Sequence, residues 1–135
     1  MLYDLFKDYI ELKAEVLTSS CFINDGKGNF VRKDLPDELQ LAPIMTFRQF
    51  DPQNPGSYWA AGNFYGVIPY EGRYDALPAT GFSYDRASSS FKKIYSLPNF
   101  NGEVRDIKWI KGKNGKILML ARNNKELTFL KPLMK

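Results

Sequence analysis

The sequence contains no histidine and a single cysteine, Cys21, among its 135 residues. Histidine is the commonest general base and metal ligand near neutral pH, so zinc sites and Ser-His-Asp triads are not expected within this chain. One thiol cannot form an intrachain disulfide. Cys21 lies in the apolar run Cys21-Phe22-Ile23, which predicts a buried, structural thiol in preference to a reactive one. No run approaches the roughly twenty apolar residues that span a bilayer, so no membrane span is expected. Residues Met1 to Asp8 lack the basic-then-apolar order of a signal peptide. An internal piece of an exported protein would lack one too.

Acidic residues are scarce in the last third. Residues 1–91 hold eight Lys/Arg against twelve Asp/Glu, whereas residues 92–135 hold eleven against three. Such a split raises the question of nucleic acid. The cations, however, are spread through Lys108, Lys111, Lys113, Lys116, Arg122 and Lys125, in turns and at alternating strand positions where lysine also protects exposed strands from mispairing. No organised stacking platform accompanies them, and nucleic-acid binding is the less favoured reading.

What is abundant is apolar and aromatic: 44% hydrophobic and 15% aromatic residues exclude a disordered tail and point to a packed, β-rich body. The length suits one domain, which at this size buries about two thirds of the surface of its unfolded chain. Self-similarity appears at an offset of sixty. Phe22-Ile23-Asn24-Asp25, a small-residue turn, Phe30 and Leu35-Pro36 is echoed by Phe82-Ser83-Tyr84-Asp85, a second turn, Phe91 and Leu97-Pro98. Ile44, Phe47 and Phe50 map onto Val104, Ile107 and Ile110, and Trp59 to Asn63 maps onto Met119 to Asn123. The paired stretches are approximately 22–36 with 82–98 and 44–63 with 104–123.

Each copy reads as four short strands bounded by turn residues. Asp25-Gly26-Lys27-Gly28-Asn29 and Lys111-Gly112-Lys113-Asn114-Gly115 read as hairpin turns, not phosphate cradles, since no helix follows to aim its N-terminus at an anion. The start differs. Leu2, Leu5, Phe6, Tyr9, Ile10, Leu12 and Val16 recur at helical spacing, so Tyr3 to Leu17 is predicted to be an amphipathic helix. The expected organisation is a helix over 1–17 followed by a β body over 18–135. The fold class is all-β with one short N-terminal helix and about two four-stranded antiparallel sheets.

Two strings carry a family resemblance: Cys21-Phe22-Ile23-Asn24-Asp25-Gly26-Lys27-Gly28-Asn29-Phe30, and Ala61-Gly62-Asn63-Phe64-Tyr65-Gly66-Val67 followed by Gly72-Arg73-Tyr74-Asp75-Ala76. They resemble the FG-GAP or VCBS repeats of integrin-like β-propellers, over about residues 18–131. The resemblance implies propeller-blade-like sheets at the C-terminal end of a large bacterial envelope protein, and hence a cell-envelope or extracellular location. Repeats of that family often carry a calcium loop with several closely spaced carboxylates. Here the corresponding stretch, Asp51 to Tyr58, offers Asp51 and Asn54, and the second copy offers lysines at Lys111 and Lys113. Neither metal nor other cofactor is therefore expected.

The long loop from Phe64 to Pro78 is the best candidate site, because long ordered loops carry function disproportionately. Phe64, Tyr65, Tyr70 and Tyr74, with Trp59 beside them, offer amphipathic rings to a glycan or protein ligand, and Glu71, Arg73 and Asp75 complete the candidate ligand-binding set. Packing of those aromatics against the body is the blander alternative. Glu71 and Asp75 also allow a second class of function, a carbohydrate-active enzyme using paired carboxylates. An ion pair of Arg73 with either acid accounts for them more simply.

The reading is thus a non-catalytic interaction or structural module, a partial propeller that completes a larger ring or pairs with another copy of itself. Burial is expected to be highest at Ile44, Phe47, Trp59, Ala61, Val104, Ile107, Leu118 and Leu120. One sheet is expected from residues 44–97, another from Val104, with outer strands from Cys21 to Leu35 whose inner strands are absent. Open strand edges invite pairing, so a homo-oligomer is expected, most simply a two-fold dimer with the helix or an edge strand at its interface.

Overall fold

Asp25 ties the first hairpin together. Its carboxylate accepts the N–H groups of Lys27 at 2.7 Å and Asn29 at 3.2 Å and the side-chain amide of Asn29 at 2.7 Å, while Gly26 and Gly28 take φ values of 81° and 93° that a side chain would resist. The hairpin joins β1 (Ser20–Asn24) to β2 (Phe30–Asp34). Asp85 repeats the device sixty residues later, accepting the Ala87 N–H at 2.9 Å between β5 (Thr80–Asp85) and β6 (Ser90–Ser96). The remaining strands are β3 (Ile44–Asp51), β4 (Asn54–Gly62), β7 (Val104–Gly112), β8 (Gly115–Arg122) and β9 (Thr128–Leu130).

A computed structural model describes residues 10–51, 54–97 and 100–131. Among these, the strands form three antiparallel sheets: a first of β1-β2, a second of β3-β4-β5-β6 and a third of β7-β8-β9. The all-β class holds. None of the sheets is closed, and two four-stranded units are replaced by sheets of two, four and three strands, because β9 is a three-residue strand and nothing beyond it among the described residues continues the sheet.

The predicted helix is corrected. Residues 10–17 have no helical structure, and Ile10, Leu12 and Leu17 are 86%, 89% and 88% exposed. Residues 1–9 of that expectation lie outside the described residues. The physical reason is that a short amphipathic helix needs a surface for its apolar stripe, since nucleation is costly and packing supplies most of its stability. Here Ile10 and Leu12, the described start of the stripe, find no such surface.

Register links the two larger sheets. Ile44↔Gly62, a bulge, Thr46↔Ala61, Phe47↔Ala60 and Arg48↔Trp59 in β3–β4 correspond, sixty residues on, to Val104↔Arg122, a bulge, Asp106↔Ala121, Ile107↔Leu120 and Lys108↔Met119 in β7–β8. At the first bulge the chains crowd so closely that a Cβ on Gly62 would overlap the Pro43 carbonyl oxygen. Just beyond each bulge a backbone bond recurs, from Asn63 N–H to Pro43 at 3.0 Å and from Asn123 N–H to Glu103 at 2.8 Å. The outer hairpins close alike, with Leu35 N–H on the Ser19 carbonyl and Leu97 N–H on that of Ala79, both at 2.9 Å.

The second sheet lies between the other two. One face, through Ala60 and Phe82, packs with Leu35, Leu39, Ala42 and Leu77. The other, through Trp59 and Ala61, packs with Val104, Ile107, Leu118 and Leu120 of the third sheet. Burying each of these larger side chains contributes about 1.5–3 kcal/mol. Polar ties cross the same interface: Arg48 Nε donates to the Ile107 carbonyl at 2.6 Å, and Trp109 Nε1 to that of Gln49 at 3.0 Å. Six of the eight expected core residues are buried, at 5% exposure or less. Phe47 is not; it is 50% exposed and Ile44 is only partly buried, because their face of β3 looks toward the two-stranded first sheet across an open groove.

Candidate binding loop

The excursion between β4 and β5 is fastened at its base by one buried side chain. Asn63 is fully buried and takes φ 79°, a left-handed conformation that asparagine tolerates better than other residues with a Cβ. Its Oδ1 accepts the Leu77 N–H at 2.9 Å and its Nδ2 donates to the Gly102 carbonyl at 3.1 Å. One amide therefore holds both feet of the loop and ties them to Gly102, just ahead of β7.

Glu103 holds Tyr65, two residues beyond Asn63. Its carboxylate accepts the Tyr65 N–H at 3.0 Å, Asn123 Nδ2 at 2.9 Å and Arg105 Nη2 at 2.7 Å. These bonds, led by the Tyr65 N–H and the Asn123 amide, hold its carboxyl below its usual range. Arg105 Nη1 also reaches the Asn63 carbonyl at 3.3 Å. Beyond the base, Phe64 and Tyr74 bridge through two backbone bonds of 2.8 and 3.0 Å. The loop is thus a small hairpin whose tip is a 3-10 turn over Pro69–Glu71.

The candidate residues divide. Tyr70 is 85% and Tyr74 46% exposed, and Glu71, Arg73 and Asp75 are exposed with them. Phe64 and Tyr65 are partly buried at the stem. Arg73 does not pair with Glu71 or Asp75 among the described ion pairs; its guanidinium lies 5.0 Å from the centre of the Tyr65 ring, a cation–π contact. Trp59 is not brought to the loop surface. It is 5% exposed, stacked on Phe50 at 4.8 Å within the core.

The polar base is not singled out by the sequence. Its only signal there is the equivalence of Asn63 and Asn123 across the repeat offset. Cys21 also differs from expectation: it is half-buried, on the rim of the core, and burial raises its thiol pKa. The side chains of Asp51 and Asn54 lie outside what is described. Among the described residues no group of three or more His, Cys, Asp or Glu is placed to hold a metal ion, and no helix is long and apolar enough to cross a membrane.

A second concave feature lies between the first sheet and the exposed face of the second. It is a groove of about 830 Å³, lined by β1 on one side and by Phe47, Tyr58, Phe82, Tyr84 and Phe91 on the other. The rings touch in series, Tyr84–Phe91 at 4.9 Å, Tyr58–Phe82 at 5.8 Å and Phe47–Phe82 at 6.3 Å between centroids. Comparison with family models, curated proteins and solved structures finds no match to this chain.

Proposed function

We propose that this chain is a non-catalytic binding module, a segment of a propeller-like stack of sheets that presents the 64–78 loop to a glycan in the cell envelope or outside the cell. The observation that carries this reading is the contrast within the loop. Its feet are locked by Asn63 and Glu103, while its tip exposes Tyr70, Glu71, Arg73, Tyr74 and Asp75. A rigid base lowers the ordering cost of binding, and exposed tyrosines beside carboxylates and a guanidinium suit a ligand with apolar ring faces and many hydroxyls. The shared register of β3–β4 and β7–β8 supports the stacked, propeller-like part of the reading.

Both acids of the enzymatic alternative are exposed to water among the described residues. That arrangement favours binding over catalysis. Calorimetric titration with a panel of soluble oligosaccharides tests the reading: one of them should bind, and Tyr70→Ala with Tyr74→Ala should remove at least nine tenths of the affinity. Sugar hydrolysis that disappears in Glu71→Gln and Asp75→Asn would establish the enzyme instead. Absence of binding to any sugar, with capture of a purified protein through the same tyrosines, would replace the glycan with a protein ligand.

A further inference from the structure

The geometry points to a second copy of this chain as the occupant of the aromatic groove, entering as its β7–β8 hairpin and pairing with the free edge of β1. The chain holds two incomplete sheets whose deficits are complementary. β1–β2 matches β5–β6 in its Asx turn and its closing backbone bond, but among the described residues it has no counterpart of β3–β4 beside it. β7–β8 matches β3–β4 in register from Ile44↔Gly62 to Gln49↔Tyr58, the first bulge included, but among the described residues it carries the three-residue β9 in place of a β5–β6 hairpin. One chain cannot join its own halves, because the second sheet stands between them.

The chain itself supplies the register. β4 and β5 pair Tyr58 with Phe82, Trp59 with Gly81 and Ala60 with Thr80. Moved by the same offset, Leu118, Met119 and Leu120 of one copy stand opposite Phe22, Cys21 and Ser20 of the next, with β1 replacing β9 on the β8 edge. The outward face of the third sheet, where Lys108 pairs with Met119, is then brought over Phe47 and Tyr58, as the Arg48–Trp59 face now covers Ile107 and Leu118. Phe22 and Phe30, 65% and 61% exposed on the far side of β1–β2, turn toward the second sheet of the entering copy.

Charge favours the same pairing. Residues 10–39 hold six acids against four bases, whereas residues 104–131 hold eight bases against two acids, so unlike ends attract and like ends repel. The contact is head-to-tail and must close to avoid open filaments. Each copy contributes one four-stranded sheet and half of each of two composite sheets, the equivalent of two sheets, so rings of about four to eight sheets correspond to about two to four copies.

This inference rests on the stacked-sheet part of the proposed function and not on its ligand. The test uses Cys21 as a built-in reporter. Residues directly opposite in an antiparallel pair have Cα atoms about 4.5–5.5 Å apart, within the range a disulfide spans. Met119→Cys, oxidised with diamide, should therefore form intermolecular bridges between Cys21 and the introduced thiol, mapped by peptide mass, at least tenfold faster than Lys113→Cys at the hairpin tip. The bridge should vanish when Cys21→Ser is added. Sedimentation of the unmodified chain should show a closed oligomer of fixed size. Equal rates at the two positions, a bridge joining the introduced thiols of two Met119→Cys copies, or a monomer at all concentrations would overturn the inference. The last result would leave the β1 edge to other strands, and oligosaccharide binding that persisted alongside it would leave the proposed function standing.

Discussion

Asn123 is bound to Glu103 twice: its backbone N–H donates to the Glu103 carbonyl at 2.8 Å and its side-chain amide to the Glu103 carboxylate at 2.9 Å. The same carboxylate takes the Tyr65 N–H of the loop, 38 residues earlier in sequence, so the binding loop is held by the residue that immediately precedes β7. Glu103→Ala removes the acceptor for three donors at once, among them a backbone N–H that cannot turn away. Hydrogen exchange at Tyr65 should accelerate at least tenfold in this variant, while the amides of β7 and β8 change little. Unchanged protection at Tyr65 would show that the loop does not depend on Glu103.

Acid should loosen the molecule. Hydrogen bonds hold the carboxyls of Asp25 (chiefly from the Asn29 side chain), Asp34 (from Ser20), Asp85 (from Ser88) and Glu103 (from the Tyr65 N–H) below their ordinary values of 3.8 for Asp and 4.5 for Glu. Their folded pKa values are lower than the unfolded ones, so between the two the unfolded chain binds more protons and stability rises with pH. The contribution is complete above the ordinary carboxylate range and is lost as pH falls through the folded values. Thermal unfolding should therefore be insensitive to pH from about 7 to 5 and should fall steeply below about pH 4. Glu103→Gln should flatten that acid limb. A Tm that rose on acidification would contradict the assignment.

Strand positions and the core were legible because they depend on local patterns. Apolar runs between Gly, Asn and Asp turns identify β3, β4, β7 and β8, and Trp59, Ala61, Ile107 and Leu120 are buried where those runs place them. The helix misread has a different origin: a 3.6-residue apolar spacing is necessary for an amphipathic helix but does not supply the surface it must pack on. Phe47 fails for a related reason. Its counterpart Ile107 has a sheet to pack on, and Phe47 faces the open groove beside the two-stranded first sheet. The base of the loop was illegible because Asn63, Glu103 and Asn123 meet only through long-range contacts that no single-sequence period encodes.

Asn63 combines a backbone role and a side-chain role, and two substitutions separate them. Asn63→Gly retains access to φ 79° and loses both side-chain bonds, leaving the Leu77 N–H and the Gly102 carbonyl unpaired at about 1–3 kcal/mol each. Asn63→Ala loses the same bonds and adds about 1–2 kcal/mol for the left-handed conformation. Chemical denaturation should rank wild type above Gly and Gly above Ala. An Ala variant as stable as the Gly variant would remove the backbone part of the argument.

Gly81 lies under the Phe50 ring. A Cβ there would approach Phe50 Cε2 to 2.6 Å, and Phe50 is held in turn by its stack on Trp59. Gly81→Ala should cost about 1–3 kcal/mol by overpacking, although alanine is the better residue in an ordinary strand. Phe50→Leu in the same chain should relieve part of that cost. A neutral or stabilising effect of Gly81→Ala alone, measured by urea unfolding, would show that the Phe50–Trp59 stack yields freely.

Phe47 and Ile107 occupy equivalent register positions, opposite Ala60 and Leu120, yet their surroundings differ as much as two core-patterned residues can. Ile107 is fully buried against the second sheet, and Phe47 is half exposed over the groove. Truncating Ile107 removes buried methylenes and leaves a cavity, so Ile107→Ala should cost about 2–5 kcal/mol. Phe47→Ala removes a ring that water already reaches on one side and whose loss opens no enclosed space, so its cost to the monomer should fall below about 1.5 kcal/mol, short of the usual buried-Phe range. Association separates the two further: where the groove receives another copy, Phe47→Ala should lower oligomer affinity at least tenfold while barely moving the monomer's unfolding midpoint, and Ile107→Ala should do the reverse. Urea unfolding at low concentration together with sedimentation at high concentration measures both quantities for each variant. A Phe47→Ala variant that destabilises the monomer as severely as Ile107→Ala would mean that the groove is closed within a single chain.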